Sequence, residues 1–206
     1  MGYVITIGRS YGSGGRTMGK LLAEELGLRY CDRELLRIAS DKSGINEELF
    51  GQADERVKQL SKFFRTKKVD IDAVPAAADS ESFVSDDNLF RIQAEVIREL
   101  AKEGDCVIVG RCANYILRDD PNVIKLFCYS SLENCVEREK ALSGMDEKEI
   151  VKKIQKIDKN RAEYYKYYTG QEWNAAENYD LCLNTASMTY EQLIKVVKAY
   201  IEEFNK

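Results

Sequence analysis

The chain contains no histidine at all. That absence excludes every Ser-His-Asp and Cys-His mechanism and every imidazole metal site. What is left is chemistry done by positioning and charge, of which phosphoryl transfer is the leading example. A basic excess is missing too: 31 lysines and arginines face 35 acidic residues, a net charge of −4. No broad positive field therefore draws in a nucleic acid polymer, although a local cluster of arginines is enough to hold a free nucleotide. There is no apolar run long enough to span a bilayer. The opening residues MGYVITIGRS pass straight into a strand-like segment rather than a cleavable leader. The expectation is a cytoplasmic protein with no membrane partner. The six cysteines form no CxxC pair, and four lie in apolar strand-like runs. They read as small core residues in a reducing compartment, not as zinc ligands or disulfides. No internal repeat is present, and no segment dictates an oligomeric state.

What is present suits one α/β domain: 206 residues, 44% hydrophobic and 32% charged. Residues 3–7 form a β-rich run ended by Gly8. Met18, Leu21, Leu22 and Leu26 then recur with a helical period from Thr17 until Gly27 stops the helix, and residues 28–31 are extended again. Strand, glycine turn, helix and strand make a βαβ unit with a parallel pair. Helical pieces joined near Ser43-Gly44 are expected over 32–62, and a mobile or irregular insert over 65–87. Further helices are expected over 88–102, 132–142, 146–168 and 189–204. Strands are expected at CVIVGR, 123–129 and 181–184. Five short apolar runs alternating with helices predict a parallel sheet covered on both faces, with ligands at the carboxyl ends of its strands.

Three features fall at those ends. The first runs from Gly8 to Thr17, GRSYGSGGRT, with four glycines between a strand and a helix. Small residues let Gly12, Ser13, Gly14 and Gly15 wrap tightly so that several N–H groups face one anion, and the helix that follows adds its positive end. Arg16 supplies a full charge, and Thr17 or Ser13 a hydroxyl for phosphate or metal-bound water. The run is not GxxxxGK[ST]: Gly15 stands at the lysine position when Gly14 is the second glycine, and Arg16 does so only if Ser10 replaces the first. The second feature is Tyr30-Cys31-Asp32-Arg33-Glu34, where Asp32 either faces the crevice or caps the next helix. The third is Val107 to Asn114, in which Arg111, directly after a strand-ending glycine, is placed to clamp a phosphate bidentately. Arg138, Asp158 and Arg161 follow on charged helices. Asp158 and Arg161, three apart, share a face, either as an ordinary pair or as part of a lid. The aromatic run from Tyr164 to Tyr168, with Trp173, either packs that helix or stacks a base.

The run ITIGRSYGSGGRTMGKLLAEELGLRYCDRELL resembles the opening of the cytidylate kinase-like family. CVIVGRCANYILRDDPNVIKLF, KIDKNRAEYYKYYTGQEW and NYDLCLNT are similar to it in the same order. The resemblance implies a P-loop NTPase three-layer fold with a five-stranded parallel sheet, and a core of 1–31, 104–135 and 179–206. It also implies a helical NMP-binding insert over about 32–103 and a lid over about 136–178. It implies phosphoryl transfer from ATP, with Mg²⁺, to a small phosphate acceptor such as CMP or dCMP. By position, Gly12 to Thr17 hold the donor phosphates and Thr17 a metal ligand. Arg111 holds the acceptor phosphate, and Asp158 and Arg161 match the lid's DxxR. Asp32, Gln93 and Arg138 fall on the substrate side, and Arg16, Arg111, Asp158 and Arg161 in the catalytic set. Two departures stand out. Cytidylate kinases read GSGKGT where this chain has Gly-Ser-Gly-Gly-Arg-Thr, and DGRD where it has Val109-Gly110-Arg111-Cys112. The alternatives carried by those departures are a nucleotide-binding regulator without catalysis and a kinase of a non-nucleotide metabolite.

Overall fold

The computed structural model describes residues 3–52 and 69–204. Its centre is a five-stranded sheet of β1 (Val4–Arg9), β2 (Arg29–Cys31), β3 (Cys106–Val109), β4 (Val123–Tyr129) and β5 (Leu181–Asn184). The strands lie in the order β2-β3-β1-β4-β5, and every pair is parallel. Parallel strands need crossovers, and here helices supply them. The helices are α1 (Gly15–Leu26), α2 (Glu34–Ser43), α3 (Asp86–Glu103), α4 (Ala113–Ile116), α5 (Leu132–Ser143), α6 (Glu147–Thr169) and α7 (Tyr190–Phe204).

Side chains alternate across each strand and divide the core in two. Ile5, Ile7, Val107, Val109, Ile124 and Leu126 face Met18 and Leu22 of α1 and Leu193 and Val197 of α7. Val4, Cys106 and Ile108 face the other way, onto Leu35 of α2, Phe90 and Ile97 of α3, Ile116 of α4 and Tyr168 of α6. The result is three layers with the sheet in the middle.

The segment expected to be an irregular insert is irregular over 69–85, and it is pinned at several points. Val69 and Ile71 are buried, and Asp72 binds both Arg98 and Arg118. The amide of Ala76 donates to Asn88 Oδ1 at 2.6 Å. The expected helical pieces are α2 and a helical stretch at 47–52, with the remainder to 62 outside the described residues. All six cysteines are free thiols, five of them buried; Cys182 is exposed because β5 is the edge strand. No helix among the described residues is long and apolar enough to cross a membrane.

Candidate active site

The loop between β1 and α1 is short enough that its backbone packs directly on other elements. A Cβ on Gly12 would come within 2.9 Å of Cβ of Cys135, and one on Gly14 within 2.1 Å of the Tyr190 hydroxyl. Gly14 is the N-cap of α1, with φ 78 and no side-chain cap, so the first turn of the helix keeps amides available to an anion. Ser13 is buried; its hydroxyl donates to Ser10 O at 2.8 Å and accepts from the Gly15 amide at 3.4 Å. The hydroxyl expected to meet phosphate or metal-bound water therefore braces the loop. Arg138 reaches the loop from behind. Its Nη1 donates to Ser13 O at 2.9 Å and to Thr185 Oγ1 at 3.0 Å, and its Nη2 to Thr185 O at 2.6 Å. Since the peptide between Ser13 and Gly14 is trans, holding its carbonyl there turns the Gly14 N–H the opposite way. Arg138 thus ties α5, the loop and the end of β5 together. Arg138→Ala is expected to cost about 2–4 kcal/mol of stability, since it orphans several acceptors at once; urea unfolding checks this.

Tyr11 is the point where α5 and α6 close on the loop. Its amide donates to Asp158 Oδ1 at 2.7 Å, and its hydroxyl to Glu139 Oε1 at 2.9 Å. Lys153 binds the same Glu139 oxygen, and the Lys153 and Arg161 cations lie 5.4 and 5.7 Å from the Tyr11 ring centre. Arg161 Nη1 donates to Asp158 at 3.2 Å and to the carbonyl of Arg9 at 3.0 Å. The Asp158–Arg161 pair is therefore both an intrahelical pair and a latch onto the loop backbone. Burial raises the Asp158 carboxyl, opposed by the Tyr11 amide and Arg161. At Glu139 burial also works upward, but hydrogen bonds from Lys153 and Tyr11 outweigh it and leave the carboxyl below its ordinary value. A depressed carboxylate contributes stability that is present above its unfolded pKa and is lost as pH falls through the folded one. The Tm gap between the unmodified chain and Glu139→Gln is accordingly expected to be full at neutral pH and to shrink below about pH 4.3, as followed by scanning calorimetry across pH 3–7.

Beside the latch lies a cavity of about 320 Å³, lined by Arg9 from β1, Arg111 after β3, Arg161 and Tyr164 from α6, and Trp173 and Tyr179. Among the described residues no aspartate or glutamate lines it. The turn carrying Arg111 is held in an unfavourable conformation: Gly110, Arg111 and Cys112 have φ 79, 56 and 56 in succession. Arg111 and Cys112 are the only non-glycine residues with positive φ among those described. Such a conformation costs about 1–2 kcal/mol per residue and gathers at functional turns. The aromatic wall is fixed by hydrogen bonds, Tyr179 Oη donating to Trp173 O at 2.7 Å and Asn114 Nδ2 to Tyr165 Oη at 2.8 Å. Packing and lining are thus combined in one group of rings.

The other expected residues are spread around this centre. Arg16 Nε meets Asp32 Oδ2 at 2.6 Å. Asp32 does not cap α2, whose N-cap is Arg33 with no side-chain bond. Thr17 is exposed on the first turn of α1. Gln93 is 2% exposed on α3, and neither amide atom has a partner among the described residues; it does not line the cavity. Among the described residues no three His, Cys, Asp or Glu side chains gather as a metal cage. Thr17 offers one hydroxyl and Asp32 one carboxylate, the latter already paired with Arg16. Two residues were missed in the sequence, Arg9 and Tyr11. The placement that singled out Arg111, an arginine where a strand ends, applies equally to Arg9. Nothing local marks Tyr11, whose partners are 128 and 147 residues away.

A parallel sheet in this order, with a glycine loop between its first strand and first helix and the helices α5 and α6 folded over that loop, defines a P-loop kinase fold. The chain belongs to the cytidylate kinase-like family, whose sequence pattern matches residues 4–187. It is 27% identical over 208 residues to a cytidylate kinase of Methanopyrus kandleri, across 97% of this chain and 93% of that protein. Its structure is similar to a crystal structure of an uncharacterized protein from Eubacterium ventriosum, with TM-score 0.70, 26% identity, and coverage of 97% of this chain and 98% of that one. A shikimate kinase from Bacteroides thetaiotaomicron, at 14% identity, covers 98% of this chain and 99% of its own with TM-score 0.55, and shares the fold.

Proposed function

We propose that this protein transfers the γ-phosphoryl group of ATP to a nucleoside monophosphate, CMP or dCMP, with Mg²⁺ accompanying the donor. The observation that carries the reading is the cavity, in which three guanidinium groups from three elements meet a wall of aromatic rings, with no carboxylate among the described lining residues. That combination suits a ligand with a phosphate at one end and a flat base at the other. An acceptor phosphate is already an oxygen nucleophile at neutral pH and needs no general base. One of its oxygens forms a bond to the γ-phosphorus as the bond from that phosphorus to the β–γ bridging oxygen breaks, giving a nucleoside diphosphate and ADP. Arg111 and Arg161 hold and neutralise the acceptor, and the loop amides with Arg16 hold the donor. Thr17 and Asp32 would hold Mg²⁺, which supplies charge to the donor phosphates. The Tyr11 latch keeps α5 and α6 over the loop and excludes water, the competing acceptor.

The test is a coupled ADP-release assay across nucleoside monophosphates and small metabolites. Turnover with CMP or dCMP supports the proposal. Turnover confined to a non-nucleotide acceptor replaces it with a metabolite kinase. Nucleotide binding without turnover on any acceptor replaces it with a regulator.

A further inference from the structure

Two glycines hold a channel open for a single side chain. A Cβ on Gly15 would stand 2.7 Å from Cβ of Arg9 and 2.8 Å from Cβ of Cys128; one on Gly110 would stand 2.0 Å from Nη1 of Arg9. Arg9 therefore runs from the end of β1, past the first residue of α1, to the strained turn behind β3. Its guanidinium lines the cavity with Arg111 and Arg161, and among the described residues no acceptor meets it. Burial, then Arg161, push Arg9 down to about 9, with Asp32 opposing and Arg16 and Arg111 adding to the fall. It remains charged at neutral pH, half-buried and with no acceptor among the described residues, and a desolvated cation of that kind is costly until an anion joins it.

Position 15 is also where the loop lacks its lysine. A lysine there would start in space that Arg9 and Cys128 already fill. The missing lysine and the half-buried arginine are one packing arrangement seen from two sides.

We propose that Arg9 is the phosphate-binding cation of this loop, supplying from the carboxyl end of β1 the charge that position 15 does not, and holding the phosphoryl group that passes between donor and acceptor. The proposal rests on the kinase reading above. Arg9 forms no covalent bond and moves no proton; its planar fork donates N–H bonds to phosphoryl oxygens.

The test is calorimetric titration of the full chain with Mg²⁺-pyrophosphate and with Mg²⁺-ATP, for the unmodified protein, Arg9→Met, Arg9→Gln and Arg9→Lys, with the Tm of each. Arg9→Met is expected to fold with a Tm at or above that of the unmodified chain, because a half-buried charge with no acceptor among the described residues is removed. It is expected to bind pyrophosphate at least about tenfold more weakly, and Arg9→Lys is expected to recover part of the loss. Arg9→Met binding pyrophosphate as tightly as the unmodified chain overturns the assignment and leaves the kinase reading intact; if that variant does not fold, equal binding by Arg9→Gln has the same consequence. An unmodified chain that binds neither pyrophosphate nor ATP overturns both.

Discussion

Arg111→Ala is expected to lower kcat/KM for the phosphate acceptor by about 10²–10³-fold. The size follows from what the side chain does: its fork lines the cavity, and a charge-assisted contact made there strengthens as charge develops. Stability moves separately. Alanine at 111 keeps a Cβ in a backbone conformation with φ 56, whereas glycine relieves that strain. Arg111→Gly is therefore expected to be about 1 kcal/mol more stable than Arg111→Ala, or about 2–4 °C in Tm for a domain of this size, while being equally inactive. Steady-state kinetics and calorimetry on the two variants separate the chemical role from the conformational one. Full activity in Arg111→Ala would remove the acceptor phosphate from this turn.

The second large effect belongs to the loop. Gly12 has φ 75, and a Cβ there would lie 3.0 Å from the carbonyl oxygen and 3.1 Å from the Cα of Cys135. Those atoms belong to the first turns of α5 and cannot swing aside as a side-chain tip does. Gly44 is the control, with φ 72 and nothing within 4 Å of the added atom. Gly44→Ala is expected to cost about 1 kcal/mol, the left-handed penalty alone. Gly12→Ala adds overpacking and is expected to cost about 2–4 kcal/mol, with loss of nucleotide binding, as read by urea unfolding and titration with ATP. Equal costs at the two positions would mean that α5 yields to the loop.

Several elements were legible because a local pattern and the tertiary structure agreed. The runs expected as strands at 123–129 and 181–184 are β4 and β5 without a shift; the first is apolar at nearly every position, Lys125 excepted, and is bounded by polar residues, close to what a strand covered on both faces requires. At Gly8 the local signal misled. The strand was expected to stop there, yet β1 continues to Arg9. Gly8 is needed within it because a Cβ would come within 2.8 Å of Phe127 and 2.9 Å of the Tyr179 hydroxyl. The first helix likewise begins two residues before the expected Thr17. Two glycines are poor helix formers, but the Met18 amide closes a 2.9 Å bond to Gly14 O and Gly15 packs on Arg9 and Cys128.

The candidate site divides along the same line. Sequence alone determined the class of chemistry, since a chain without histidine and with a glycine loop behind its first strand is directed toward phosphate. It also placed Arg111 at a strand's carboxyl end, because parallel-sheet topology puts such residues over the crevice. Tertiary structure alone decided that Arg138 grips loop carbonyls, that Asp158 and Arg161 latch onto backbone 147 and 152 residues away, and that Arg9 lies half-buried against the loop. Charge and periodicity are properties of neighbours along the chain. A guanidinium's partner is chosen by which carbonyls or anions the fold brings within hydrogen-bond reach, and here that reach spans most of the polypeptide.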